Sequence, residues 1–306
     1  MRDVRRLVHL GEEAGVADFG PSIRRNGKQR HEMKLSQRIK QFRRKIVSNM
    51  SPAIFDAYSN IGSIIKRYPH RASSDAASGL IKVSDGEKEI TICRRTRVSL
   101  YKRGIGKRLD NLARSYLLDH ITEPLSGAFI DCGANVGELG AFSRARGLDY
   151  HAFEPEKLEA DCCDLNNFGG APRTNRVGLW SEDGTLKFYS KPSSADSSLF
   201  ETDGYVECHT IDVRSLDSYV AEKGIDDIAI IKIEAEGAEP EILSGARKSI
   251  GMSKYVTVDC GFERGKAQES TLIPVMNIMI GSGFEAVAWD RDRVTVLFRN
   301  KRRAPD

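Results

Sequence analysis

Phe129-Ile-Asp-Cys-Gly-Ala-Asn-Val-Gly137 decides how the rest of the chain is read. Ala128, Phe129 and Ile130 form a short apolar run of buried-strand type, and Asp131 closes it. Gly133, Asn135 and Gly137 then fall at alternate positions before a segment of helical character. A strand that passes through glycines into a helix lets the backbone approach a ligand where helix amides point outward. The spacing is not the dinucleotide fingerprint, since Gly-x-Gly-x-x-Gly needs glycine where Asn135 and Glu138 stand. An ordinary strand–turn–helix corner would look the same, so the neighbouring segments have to decide.

Those segments alternate. Strands are expected at 128–131, 149–153, 174–180, 228–233, 255–259, 284–289 and 293–298, and helices at 138–147, 156–167, 215–223, 238–249 and 267–281. This pattern predicts an α/β fold with a doubly wound, mostly parallel, seven-stranded sheet and right-handed crossovers, binding its ligands beyond the carboxyl ends of the strands. Residues 184–210 interrupt it with two extra strands around a polar Ser-rich loop. Upstream, Leu80–Val83 and Ile90–Cys93 form a hairpin around Asp85-Gly86.

Two further strand ends carry acids. Tyr150-His-Ala-Phe-Glu-Pro-Glu156 places Glu154 at the end of an apolar strand, twenty-one residues after Gly133. That is about the ~20-residue separation at which an acid reaches ribose hydroxyls in a nucleotide fold; the other reading is a helix-capping acid. Ile230-Ile-Lys-Ile-Glu-Ala-Glu-Gly-Ala-Glu239 ends a buried strand in Glu234 and Glu236. In a doubly wound half this fourth strand lies beside the first, so its end borders the pocket of Gly133 and Glu154.

Composition limits the alternatives. The 306 residues are 40% hydrophobic and 29% charged, with six cysteines at 93, 132, 162, 163, 208 and 260 and no Cys-x-x-Cys. Neither a zinc site nor a disulfide framework is expected, and a reducing compartment, the cytoplasm, is favoured. No run approaches the ~18–20 apolar residues of a membrane span. The net charge of +4 hides an asymmetry, because residues 1–78 hold sixteen Lys/Arg against seven Asp/Glu and the rest is acidic. Three parts are expected: a basic arm with helices over 1–78, the α/β domain over 79–300 and a basic tail over 301–306. In the arm, Leu35, Ile39, Phe42 and Ile46 fall at helical spacing among basic residues. Such a helix either contacts an anionic membrane surface peripherally, through residues 24–46, or packs its narrow apolar stripe on the main domain, which is the preferred reading. Residues 70–78, rich in Ser and Ala, read as a linker.

Ile130-Asp-Cys-Gly-Ala-Asn-Val-Gly137, Phe153-Glu-Pro155, Ser197-Ser-Leu199 and Lys232-Ile-Glu-Ala-Glu-Gly-Ala-Glu239 together resemble the FkbM-type methyltransferases. Tyr101-x-x-Gly-x-x-x-Arg108 is similar to the lead-in segment often seen there. The resemblance covers about residues 90–298. It implies a class I, Rossmann-like fold dependent on S-adenosyl-L-methionine (SAM), a last antiparallel hairpin over 284–298, and methyl transfer to a hydroxyl of a sugar, glycan precursor or natural-product molecule. It also implies that Asp131, Gly133, Asn135 and Gly137 line the methionine part of SAM, that Glu154 holds the ribose, and that adenine lies near Leu179, Trp180 and Ser181. Trp180 is equally suited to plain core packing. The family's usual fourth-strand motif is Lys-Ile-Asp-Val-Glu-Gly, so Glu234 stands here one methylene longer than the common Asp.

An alcohol acceptor loses a proton as the new bond forms, which a carboxylate or imidazole in hydrogen-bond reach can take. Glu234 and Glu236 are the first candidates and His209 the third. A divalent metal on Glu234, Glu236 and Asp259 is the alternative way to acidify the hydroxyl, though spacing does not indicate one. A nicotinamide-dependent oxidoreductase is the competing enzyme reading, weakened by Asn135 and Glu138. A non-catalytic membrane or nucleic-acid binder acting through residues 24–45 is the third. The acidic main domain speaks against nucleic acid as a partner, and homo-oligomerisation is left open.

Overall fold

The computed structural model describes residues 42, 46–191 and 197–303. The chain divides into Met1–Lys45 and Ile46–Asp306, and of the first unit only Phe42 is described. Most of the basic helix expected around 35–46, the Ser-rich loop over 192–196 and the end of the basic tail lie outside the described residues. No described helix is long and apolar enough to cross a membrane.

In the second unit, after a short helical stretch at 46–49, α1 (Pro52–Ile65) carries proline in its first turn, where its missing N–H leaves no helical bond unmade. The segment expected as a linker contains a strand. β1 (Arg71–Ser74) pairs antiparallel with β2 (Ile81–Ser84), and β3 (Glu89–Ile92) completes a three-stranded sheet. Its Ser/Ala composition hid it because only Ala72 turns to the core, while α1 supplies the polar partners. Asn60 bonds both the amide and the carbonyl of Ala72, and Asp56 accepts from the Ser74 amide. Residues 46–78 therefore belong to the same compact unit as the domain that follows.

After α2 (Ile105–Ser115) come β4 (Ala128–Cys132), α3 (Gly140–Ala145), β5 (Asp149–Phe153) and α4 (Lys157–Phe168). β6 (Gly178–Leu179), β7 (Gly184–Ser190) and β8 (Glu207–Arg214) build a separate three-stranded sheet in the order β6-β8-β7. The chain returns through α5 (Leu216–Lys223), β9 (Ile228–Ile233), α6 (Glu239–Ser244), α7 (Arg247–Met252) and β10 (Ser253–Asp259). A small β11 (Phe262–Arg264)–β12 (Glu269–Ser270) hairpin, α8 (Leu272–Gly281), β13 (Phe284–Asp290) and β14 (Thr295–Asn300) end it.

The main sheet runs β13-β14-β10-β9-β4-β5. β5, β4, β9 and β10 are parallel, and the last hairpin is antiparallel, as expected. Alternation in β4 assigns its two faces: Ala128, Ile130 and Cys132 pack with α5–α8, while Phe129 packs with α2 and α4. The sheet has six strands among the described residues, not the expected seven. The segment over 174–180 reaches the β5 edge only at Asn175, which bridges Phe153. It then leaves to pair Gly178 and Leu179 with β8. The single helix expected over 238–249 is two, with Gly245 between them; a Cβ there would lie 2.1 Å from the Trp180 carbonyl oxygen.

One side chain makes two of the hydrogen bonds that join the small sheet of β1–β3 to the main domain. Asn166 on α4 bonds the Thr91 amide (2.8 Å) and carbonyl (2.8 Å) and the Val136 carbonyl (2.7 Å). Asn166→Ala is expected to lower unfolding stability by about 2–3 kcal/mol, since three bonds go and their backbone partners stay partly buried. Urea denaturation of the purified variant measures this.

Candidate active site

The carboxyl ends of β4, β5 and β9 open into one cavity of ≈ 250 Å³. One wall is the turn Cys132–Asn135, the next is Glu154–Glu156, and the third is Glu234–Glu236. Val177–Leu179 closes the edge beyond β5. A fourth wall comes from upstream: the 3₁₀ turn Arg95–Tyr101 and α2 contribute Arg97, Arg108 and Tyr116. Arg293 reaches in from the β13–β14 turn.

The glycines hold the loop to the protein around it. Gly133 has φ +75°, and a Cβ on it would stand 2.1 Å from the Glu234 carbonyl oxygen. Gly137, φ +75°, is backed by Asn167 and Cys163 of α4 and does not line the cavity. Gly133 lines the cavity, whereas Gly137, expected there as well, does not; both let the loop press against its neighbours, β9 and α4. Asn135 sits between them at φ +51° and faces the cavity, its side-chain oxygen buried and without a hydrogen-bond partner among the described residues.

Glu154 is buried. Its two oxygens accept from the Asn135 amide (2.9 Å) and the Glu156 amide (2.9 Å). Glu154 thus caps the start of α4 and also lines the cavity, where each oxygen keeps a lone pair. Burial pushes its carboxyl up to about 7, against those amide bonds. Glu156 accepts from Ser190 and Ser197, and Ser198 donates to the Glu236 carbonyl. The Ser197-Ser198 pair therefore ties the ends of β5 and β9, with Leu199 lining the cavity.

At the sheet centre lies Lys232. Its ammonium donates to the carbonyls of Cys132 (2.9 Å) and Gly133 (2.8 Å) and pairs with Asp131 at 3.1 Å, whose other oxygen accepts from Tyr150. Burial alone would lower its proton affinity, but Asp131, Tyr116 and Glu234 raise it. Glu234 accepts from the Tyr116 hydroxyl and from Arg293 at 2.7 Å. Here too burial is overruled: Lys232 and Arg293 hold the Glu234 carboxyl below the usual range, which makes it a poor proton acceptor. Tyr116 is stacked between two cations, Lys232 at 5.0 Å and Arg293 at 5.1 Å from its ring centre.

The metal option on Glu234, Glu236 and Asp259 is not supported. The cation between Glu234 and Asp259 is the Arg293 guanidinium, bonded to both, and no group of three or more His, Cys, Asp or Glu able to hold a metal occurs among the described residues. His209 and Trp180 also stand outside the cavity lining. His209 sits on β8 with its ring edge-on to Phe188, and Trp180 packs toward Phe200 in the core. Glu236 does line the cavity, held at φ +50°. Such left-handed backbone is strained for a residue with a side chain.

Several lining residues had no reading as site groups in the sequence. Glu138, noted only as a missing glycine, is buried and accepts from Tyr101 (2.9 Å) and from both arms of Arg108 (2.7 and 2.9 Å). Tyr101 and Arg108 of the lead-in segment thus converge on one carboxylate behind the glycine loop. Glu159 is paired with Arg94.

Residues 131–278 match the family model described as the methyltransferase FkbM domain. The match spans just under half of the chain. The chain is also similar to the 2-O-methyltransferase NoeI of Sinorhizobium fredii (strain NBRC 101917 / NGR234), 20% identical over 212 residues that cover 63% of this chain and 86% of NoeI. It is similar as well to the crystal structure of methyltransferase FkbM from Methylobacillus flagellatus KT, at 18% identity and a TM-score of 0.40, over 67% of this chain. The match covers 53% of that protein, so this chain spans about half its length. The FkbM domain supplies three walls of the cavity; Arg97, Arg108, Tyr116 and Arg293 come from outside the matched stretch.

Gly133→Ala tests how the loop is held. A left-handed backbone and a carbonyl 2.1 Å from the new Cβ should together destabilise the protein by about 3 kcal/mol. The shift in urea midpoint reads it.

Proposed function

We propose that this protein is a SAM-dependent methyltransferase that methylates a hydroxyl oxygen of a sugar, glycan precursor or other small molecule. The observation that carries the reading is the junction of Asn135 and Glu154. A buried carboxylate at the end of β5 bonds the amide of the glycine loop after β4, and both face one cavity. The fit to SAM is chemical: Glu154 has lone pairs left for two ribose hydroxyls, and the unpartnered Asn135 oxygen can accept from an ammonium group. Val177, Gly178 and Leu179, not Trp180, border the space where an adenine ring would lie. SAM, when bound, supplies an electrophilic methyl on a sulfonium.

The residues of the chain then have to position an acceptor oxygen in line with that methyl, which is where most of the rate enhancement of such a displacement resides. Tyr116, Glu234 and Arg293 form a fixed polar floor on the acceptor side. Glu234 orients and Glu236 takes the hydroxyl proton in this scheme, because the Glu234 carboxyl is held by Arg293 and Tyr116 and has a lowered proton affinity. Kinship of the domain with NoeI, a 2-O-methyltransferase, supports oxygen as the acceptor atom.

Ribose hydroxyls donate to the ionised form of Glu154, so binding below pH about 7 must release the proton that burial keeps there. Affinity for S-adenosylhomocysteine should therefore rise about tenfold between pH 6 and 8. Glu154→Gln should weaken binding and abolish this slope. Calorimetry in buffers of different ionisation heat measures both, and a flat wild-type profile would sink the ribose assignment. For the acceptor side, Glu236→Gln should lower kcat by about 100-fold with unchanged S-adenosylhomocysteine affinity, in a methyl-transfer assay with the acceptor that wild type uses.

A further inference from the structure

Five cationic side chains line the cavity, and four of them are committed. Arg94 is paired with Glu159, Arg108 with Glu138, Lys232 with Asp131, and Arg293 with Glu234 and Asp259. Arg97 is the exception: its guanidinium has no hydrogen bond or ion pair among the described residues, though it is half-buried and lines the same space. Its charge still reaches the Tyr101–Glu138 pair. Glu138 is kept acidic against burial by Arg108 first and by Arg97 after it, and Arg97 likewise opposes the rise that burial imposes on Tyr101. Arg97, Glu138 and Asn135 line the same cavity.

We infer that Arg97 receives the α-carboxylate of the methionine end of SAM, with the Asn135 side-chain oxygen taking the neighbouring ammonium. This rests on the SAM reading above and names the residue that would anchor its amino-acid end. The charge argument is specific. Asp131, Glu138, Glu154, Glu156, Glu159 and Glu234 all border the cavity, so a carboxylate entering it is repelled wherever no cation is uncommitted. A guanidinium presents two parallel donors that match a carboxylate, and the pair gains strength as ligand binding removes water. The turn that carries it is fixed in place: its Val98 and Tyr101 are buried in the core with β2 and β3.

The test compares two ligands that differ by the amino-acid end. Arg97→Ala should weaken S-adenosylhomocysteine binding by about 10- to 100-fold and leave 5′-methylthioadenosine, which lacks the carboxylate and ammonium, unchanged. Arg97→Lys, which keeps a point charge without the fork, should recover part of the loss. Equal weakening of both ligands would mean that Arg97 acts only by holding Glu138 and its loop, and would overturn the assignment. So would full S-adenosylhomocysteine affinity in Arg97→Ala, which would turn the guanidinium toward an anionic acceptor instead. Wild-type protein that binds neither ligand would overturn the SAM reading itself, a result distinct from the other two.

Discussion

Lys232 is an ammonium group in the middle of a parallel sheet, 2% exposed to solvent. Left alone there it would carry a desolvation penalty of several kcal/mol. The partners that offset it also organise the site. Two are backbone carbonyls, of Cys132 and Gly133, so the charge draws the first residues of the glycine loop onto β9. The third is Asp131, which binds Tyr150 on β5 in turn. One cation therefore sets the relative height of three adjacent strand ends. The absent side chain at Gly133 is the steric counterpart of this attraction, because the loop can come so near β9 only if nothing projects toward the Glu234 carbonyl.

The same logic extends outward in pairs. Glu138 holds Tyr101 and Arg108, Glu234 holds Tyr116 and Arg293, Glu156 holds two serines, and Glu239 caps the turn after β9 through the amides of Ala235 and Gly237. Most of the acids around the cavity are thus structural members whose charge is already answered. Their proton affinities diverge according to what answers them. Cations depress Glu234, whereas Glu154, answered only by amides, stays high.

The strands were legible because burial on both faces leaves continuous apolar runs such as Ala128–Ile130 and Ile228–Ile233, a signal local to each segment. Glu154 and the glycine loop were legible because their spacing follows from one strand–helix crossover. What escaped is what depends on partners distant in sequence. β1 hides among serines because α1 supplies its hydrogen bonds. The segment over 174–180 has strand character, yet only its backbone partners decide that it joins β5 at Asn175 and β8 three residues later, at Gly178. Trp180 and His209 carry the residue types of a site without its location, since one packs on Phe200 and the other on Phe188. Arg293 is the converse: a polar turn residue whose role comes wholly from Asp259 and Glu234 across the sheet edge. Lys232 did leave a trace, as a charge inside an otherwise apolar strand, because an ammonium is tolerated in such a place only when carbonyls and carboxylates wait for it.

A displacement at carbon asks little of acids and bases and much of distance, since a misplacement of about 1 Å costs on the order of 100-fold in rate. That requirement accounts for a cavity in which nearly every polar side chain is hydrogen-bonded to another element. Upstream helix, central sheet and C-terminal hairpin meet at Tyr116, which lies between Lys232 and Arg293 and donates to Glu234. A shift of any one of these three elements would pull against the other two through that ring. The floor of the cavity is consequently rigid by construction, and Ser197 and Ser198 add a tie across the ends of β5 and β9.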